Sequence, residues 1–153
     1  MFAPVPRAAA ILGAAGLIPF VIGAALLLTT PGTIPTLALA PSQPQGGEFL
    51  LIRYGTIILC FMAGCQWGFL ARPGRTPNAT ELVISVLPAI WATYVLALAE
   101  TSADQLLGLI IGFLLLIPAD YTFQVREIAP NWWLTLRLPL TLVVVICLSI
   151  GAF

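Results

Sequence analysis

Five stretches of predominantly apolar residues recur along the chain, each close to the roughly 20 residues a helix needs to cross bilayer hydrocarbon. They cover about 8–29, 49–71, 81–98, 103–123 and 132–152. In hydrocarbon every backbone N–H and C=O must find its partner inside the protein, which restricts open-ended segments of this length to helices. Composition points the same way: 60% of the 153 residues are hydrophobic and 8% are charged, against roughly 25% charged in soluble domains. The expected fold class is all-α: a single integral membrane bundle over 1–153, with little folded mass outside the bilayer.

The first stretch has the outline of a secretory signal, with Arg7 ahead of an apolar run. The run exceeds the roughly 7–15 residues of a signal core, and Pro19 sits in its middle. It is expected to remain as a helix. Between the first two stretches, 30–48 is rich in proline and glycine (Pro31, Gly32, Pro35, Pro41, Pro44, Gly46, Gly47) and reads as a surface loop. Its apolar piece, 37–40, suits the membrane interface. The connection at 72–80 contains Pro73, Gly74 and Pro77 and reads as a turn. If the five helices alternate, Arg7, Arg72, Arg75 and Arg126 flank one side, while Glu48, Glu100 and Asp104 flank the other with Arg53. The arginine-rich side is expected to face inward, putting the N-terminus inside and the C-terminus outside. Inside means the cytoplasm if the chain lies in a bacterial cytoplasmic membrane, or the matrix if it lies in a mitochondrial inner membrane. This topology puts the glycosylation sequon Asn78-Ala79-Thr80 on the wrong side, so it is discounted.

The charge inventory excludes several classes of function. Six arginines balance six acids, so there is no basic excess with which to bind nucleic acid. Histidine and lysine are absent. That removes imidazole ligation of haem or metal, histidine proton relays, and Ser-His-Asp or Cys-His catalysis. Cys60, Cys65 and Cys147 lie in apolar stretches and read as small buried hydrophobes. The spacing of Cys60 and Cys65 puts them on nearly opposite helix faces, which suits neither a disulfide nor a metal clamp. The glycines match no phosphate-loop or dinucleotide pattern. Glu100 and Asp104 read as a solvated loop face. No catalytic residue, cofactor or metal is expected.

What remains is packing and intramembrane polarity. Gly64 with Gly68, Gly108 with Gly112, and Ala9 with Gly13 form small-xxx-small pairs, which let helices approach closely in lipid. Packing within the bundle and docking of another membrane protein are both open readings. Pro19, Pro88, Pro118 and Pro139 interrupt four stretches and are candidate kinks. No internal repeat of the transporter kind is evident. Ionisable groups at membrane depth are functional candidates by default. Arg137 lies about five residues into the last stretch, and Asp120 and Gln66 fall at a similar depth on theirs. These three form an expected inner polar cluster, with Arg126 as a further member. It reads as a register-fixing ion pair, an anion or substrate site, or a contact to lipid phosphate or a partner subunit. Arg53 is expected to snorkel and pair at the outer side, with Glu48 as the expected ion-pair partner and Glu100 and Asp104 as other possible ones. Trp67, Trp132 and Trp133 are the expected interfacial anchors.

Three motifs in order resemble a known family. Ile11-Leu12-Gly13-Ala14-Ala15-Gly16-Leu17-Ile18-Pro19-Phe20 is similar to its opening, and the run from Tyr54-Gly55 through Gln66-Trp67-Gly68 to its second helix. Pro130-Asn131-Trp132-Trp133-Leu134-Thr135-Leu136-Arg137 resembles the start of its fifth. The family is that of transmembrane protein 69-like proteins, proteobacterial and mitochondrial inner-membrane proteins with a domain of unknown function. The resemblance covers most of the chain and implies a small multi-helix inner-membrane protein without implying an activity. The position before Trp67 is often basic in that family but is Gln66 here, and Ala63 replaces the first glycine of a pair. If the basic residue carried a proton or bound an anion, this chain lacks it, which favours a structural role around Gln66 and Arg137. The expected function is non-enzymatic: an accessory subunit or assembly factor of a larger membrane complex, in contact with lipid and other subunits. A small permease or channel using the inner cluster is the alternative.

Overall fold

The computed structural model describes residues 4–29 and 46–153. Among these residues six helices follow one another: α1 Arg7–Ala15, α2 Ile18–Leu28, α3 Gly47–Leu70, α4 Ala79–Leu98, α5 Ser102–Val125 and α6 Trp133–Ala152. Together α1 and α2 make one span, Arg7–Leu28, and α3 to α6 make one each, giving five segments long and apolar enough to cross a membrane. Successive spans alternate in direction, so Arg7, Arg72, Arg75 and Arg126 fall at one end of the bundle, here the arginine end. The expected surface loop is described only from Gly46 onward, and its apolar piece at 37–40 lies outside the described residues.

The first stretch, expected as one helix, divides at Gly16 and Leu17. Pro19 is the reason. It has no N–H to give the carbonyl four residues back, and its ring crowds that carbonyl. The helix restarts with Pro19 in the first turn of α2, where a missing N–H costs nothing. The Gly16 carbonyl at the break accepts a hydrogen bond from the Tyr54 hydroxyl of α3 at 3.1 Å. In contrast, Pro88, Pro118 and Pro139 sit inside uninterrupted helices.

Polar side chains supply the helix ends. Asn78 and Glu81 form a reciprocal capping box at the start of α4. The Asn78 Oδ1 accepts from the Glu81 N–H at 2.9 Å, and Glu81 Oε2 accepts from the Asn78 N–H at 3.1 Å. Thr101 Oγ1 accepts from the Asp104 N–H at the start of α5. At its other end the chain reverses through Glu127, which has φ 56°, and the N–H groups of Ile128 and Ala129 both donate to the Phe123 carbonyl. Arg72, just beyond α3, secures this turn by donating from Nη2 to the Glu127 carbonyl at 2.9 Å. The Gln124 Oε1 then caps α6 by accepting from the Leu134 N–H at 3.0 Å.

Helix α3 is central and touches α2, α4, α5 and α6. The main core joins Phe20, Leu59, Leu109, Phe113 and Leu148, and a smaller one near the arginine end joins Leu70, Phe123, Ile128 and Trp133. The outside is as apolar as the inside. Ile57, Phe61, Leu115 and Leu142 are each 61–63% exposed, a surface that suits lipid and not water.

The glycine pairs divide into two kinds. Gly108 and Gly112 are buried, and a Cβ on them would come within 2.6 Å of Val95 and 2.7 Å of Leu59. Gly13 faces Leu136 and Leu140 of α6. Gly64 and Gly68, with the same motif, are exposed, and a Cβ there meets nothing within 4 Å. Their face of α3 therefore takes no part in packing among the described residues. Gly23 and Gly47 also bring α2 and α3 together, because a Cβ on Gly47 would strike the Gly23 carbonyl. Overpacking predicts that Gly108→Leu costs about 1–3 kcal/mol, whereas Gly64→Leu stays within about 0.5 kcal/mol of the parent. Thermal unfolding followed by circular dichroism in detergent measures both.

Candidate functional site

Asp120, Arg137 and Gln66 come together in the bundle interior. Asp120 lies on α5 between Leu116 and Phe123, Arg137 on α6 between Trp133 and Val144, and Gln66 on α3 between Ala63 and Leu70, so the cluster sits between the two apolar cores. The Arg137 Nε donates to Asp120 Oδ2 at 3.1 Å, and Gln66 Nε2 donates to Asp120 Oδ1 at 3.1 Å. The indole Nε1 of Trp133 donates to the same Oδ1 at 2.9 Å. All are buried, with exposures of 0% for Gln66, 1% for Asp120 and 5% for Arg137.

The electrostatics follow from that burial. A lone carboxylate here would lose its hydration without compensation, at a cost of several kcal/mol. Three donors from two helices replace the water, and the guanidinium cancels the charge. The arrangement ties α3, α5 and α6 at one level. It is not fully saturated: Gln66 Oε1, Arg137 Nη2 and Thr141 Oγ1 are buried without a hydrogen-bond partner.

Other expected site residues are placed differently. Arg126 does not join the cluster. It is the C-cap of α5, six residues past Asp120 and therefore about 9 Å further along the helix on another face. Its Nη1 lies 3.6 Å from Glu81 Oε1. Trp133 is not an interfacial anchor but is 8% exposed. It precedes Arg137 by four residues and so shares its inward face. Trp67 is exposed and Trp132 half-buried, as interfacial residues would be. The expected outer pair of Arg53 and Glu48 is absent from the ion pairs among the described residues. A five-residue separation turns the two side chains about 140° apart around α3. The Arg53 guanidinium lies 5.5 Å from the centre of the Phe49 ring, four residues back on the same face.

Glu81 is the polar residue the sequence reading overlooked. It accepts from Arg75 Nη2 at 2.7 Å while completing the capping box. The signal was present, since Asn78 followed three residues later by Glu81 is a helix-start signature. Cys60, Cys65 and Cys147 are free thiols.

Five apolar spans around a sealed ionic cluster define an integral membrane protein with a multi-pass helical bundle. The chain belongs to the family described as "Protein of unknown function (DUF3429)", which matches residues 5–153. It is similar to Transmembrane protein 69 of Xenopus tropicalis, 33% identical over 146 residues that cover 94% of this chain and 53% of the relative. Transmembrane protein 69 of Mus musculus is 29% identical over 141 residues, 90% of this chain and 52% of that protein. The chain thus spans about half the length of these relatives. The motif resemblance to the transmembrane protein 69-like family is therefore sound. No solved structure matches.

Removing one partner from a buried pair leaves an uncompensated charge, so Arg137→Leu should destabilise by about 3–5 kcal/mol. Adding Asp120→Asn should recover part of that loss. Unfolding of both variants in detergent measures the difference, and equal damage from the two would contradict the ion-pair account.

Proposed function

We propose that this protein is a non-enzymatic accessory subunit or assembly factor of a larger complex in an inner membrane, bacterial or mitochondrial. The observation that carries the reading is the open face of α3. Gly64 and Gly68 carry the close-approach spacing of buried glycine pairs, yet nothing in the described bundle fills the space beside them. In lipid such a face lets the backbone of another helix approach, and packing is what drives association there. The polar cluster supports the same reading, because its members are closed off from the surface and bonded to one another in the manner of a structural tie.

A small permease or channel is the second reading. It is favoured by the buried polar atoms of Gln66, Arg137 and Thr141 that have no partner, since such atoms can receive a passing solute or water. The proposed orientation, N-terminus inside and C-terminus outside, rests on the arginine distribution. It is tested by replacing Cys60, Cys65 and Cys147 with alanine, introducing a single cysteine at Arg7 or Phe153, and labelling with a membrane-impermeant reagent in sealed right-side-out vesicles, where only the second should react.

Mild-detergent extraction from native membranes followed by size separation tests the function. The wild-type chain should migrate with a larger assembly, and Gly64→Leu with Gly68→Leu should release it while its melting temperature holds. Migration of the wild-type chain alone would favour the permease reading, and transport by the Arg137→Leu variant would then be measured against wild type.

A further inference from the structure

A groove of about 520 Å³ opens between α4 and α5 on the outside of the bundle. Ile84, Pro88 and Trp91 form its α4 wall, and Gly112, Leu115 and Ala119 its α5 wall. The Trp91 ring is held in place by its Nε1, which donates to the Gly108 carbonyl at 2.7 Å. Gly112 supplies no side chain, and Leu115, at 63% exposure, marks the side open to hydrocarbon. From Ile84 to Tyr94 the groove follows α4 for about 15 Å.

Its end nearest the arginines is polar. On α5 the stripe of Gly112, Leu115 and Ala119 continues, at intervals of three and four residues, through Thr122 to Arg126. On α4, Glu81 lies one turn before Ile84. The two stripes meet there. Arg126 Nη1 is 3.6 Å from Glu81 Oε1, the oxygen that also receives Arg75 Nη2 at 2.7 Å. Two guanidinium groups thus share one carboxylate, which leaves one positive charge in excess. Donors also remain unused. The Arg126 side chain is 60% exposed and its contact with Glu81 is long, and Arg75 Nε is buried without a partner.

We propose that this is a site for one anionic phospholipid, with an acyl chain in the groove and the phosphate on Arg126 and Arg75. The apolar walls open sideways into the hydrocarbon and lie at membrane depth, which suits a chain delivered from the bilayer. The helix ends lie at headgroup depth, where the phosphate of that same molecule sits. Arginine's fixed fork of donors matches phosphate oxygens, and the excess charge selects an anionic headgroup over a zwitterionic one. Neither half of the site carries the proposal alone; the continuity of groove and guanidinium pair along two helix faces does.

The test is native mass spectrometry of the purified full chain in detergent, with equal amounts of phosphatidylglycerol and phosphatidylcholine. Wild type should retain phosphatidylglycerol in preference. Arg126→Gln should reduce that preference about fivefold, the share of one arginine near a charged lipid surface. Arg7→Gln removes the same charge at the same end of the bundle on α1, away from the groove, and should leave the preference intact. Leu115→Trp, which fills the groove from an exposed position, should lower retention of both lipids. Melting temperatures of the three variants should match wild type, which separates lipid loss from misfolding. Equal retention of the two lipids by wild type, equal effects of Arg7→Gln and Arg126→Gln, or unchanged retention by Leu115→Trp would each overturn the proposal.

Discussion

A carboxylate and a guanidinium held inside an apolar bundle set the conditions for the rest of this structure. Neither Asp120 nor Arg137 can lie at that depth alone, because the surroundings offer no water to solvate a charge. Their 3.1 Å contact fixes the height of α5 against α6, and Gln66 extends the constraint to α3. The apolar packing on either side could slide without large penalty, since one leucine resembles the next and lipid is as apolar as both. The ion pair could not slide, because moving it by a turn would strand two charges. Register in this bundle is therefore held by polarity, although apolar contacts supply most of the surface.

The second constraint is lipid as solvent. Apolar side chains cover the outside as well as the core, so burial by itself gives the helices little reason to associate. Close approach matters more. Gly108 and Gly112 admit Val95 and Leu59, and Gly23 and Gly47 bring α2 onto α3. Polarity is gathered at the arginine end, where Arg72 clamps the turn between α5 and α6 and Arg75 and Arg126 share Glu81. The open glycine face and the groove ending at two arginines are the features on which the proposals of a protein partner and of a bound lipid rest.

Much of this was legible beforehand. Span length and the common depth of Gln66, Asp120 and Arg137 can both be read from spacing along one dimension. So can the Asn78–Glu81 cap, whose three-residue spacing is a helix-start signature. The break before Pro19 could not, since Pro88, Pro118 and Pro139 leave their helices whole. Readings that depended on angle around a helix fared worse. Glu48 and Arg53 are close in sequence but point apart, and Trp133 turns inward because it shares a face with Arg137. Arg126, near Asp120 in sequence, is carried past the cluster by the end of α5.

By itself the sequence determined where the five apolar spans of the described residues lie and which ionisable groups sit at depth. These follow from hydrophobic length and the cost of burying charge, both local properties. Tertiary structure alone decided which helix faces meet. Gly64–Gly68 and Gly108–Gly112 are the same motif, yet one pair lies open and the other holds Val95 and Leu59. Likewise only the packing of α4 on α5 brings Glu81 to Arg126 and leaves a groove above them. The physical reason is that a helix rich in small and apolar residues on every side carries little amphipathic bias, so its orientation is chosen by its neighbours.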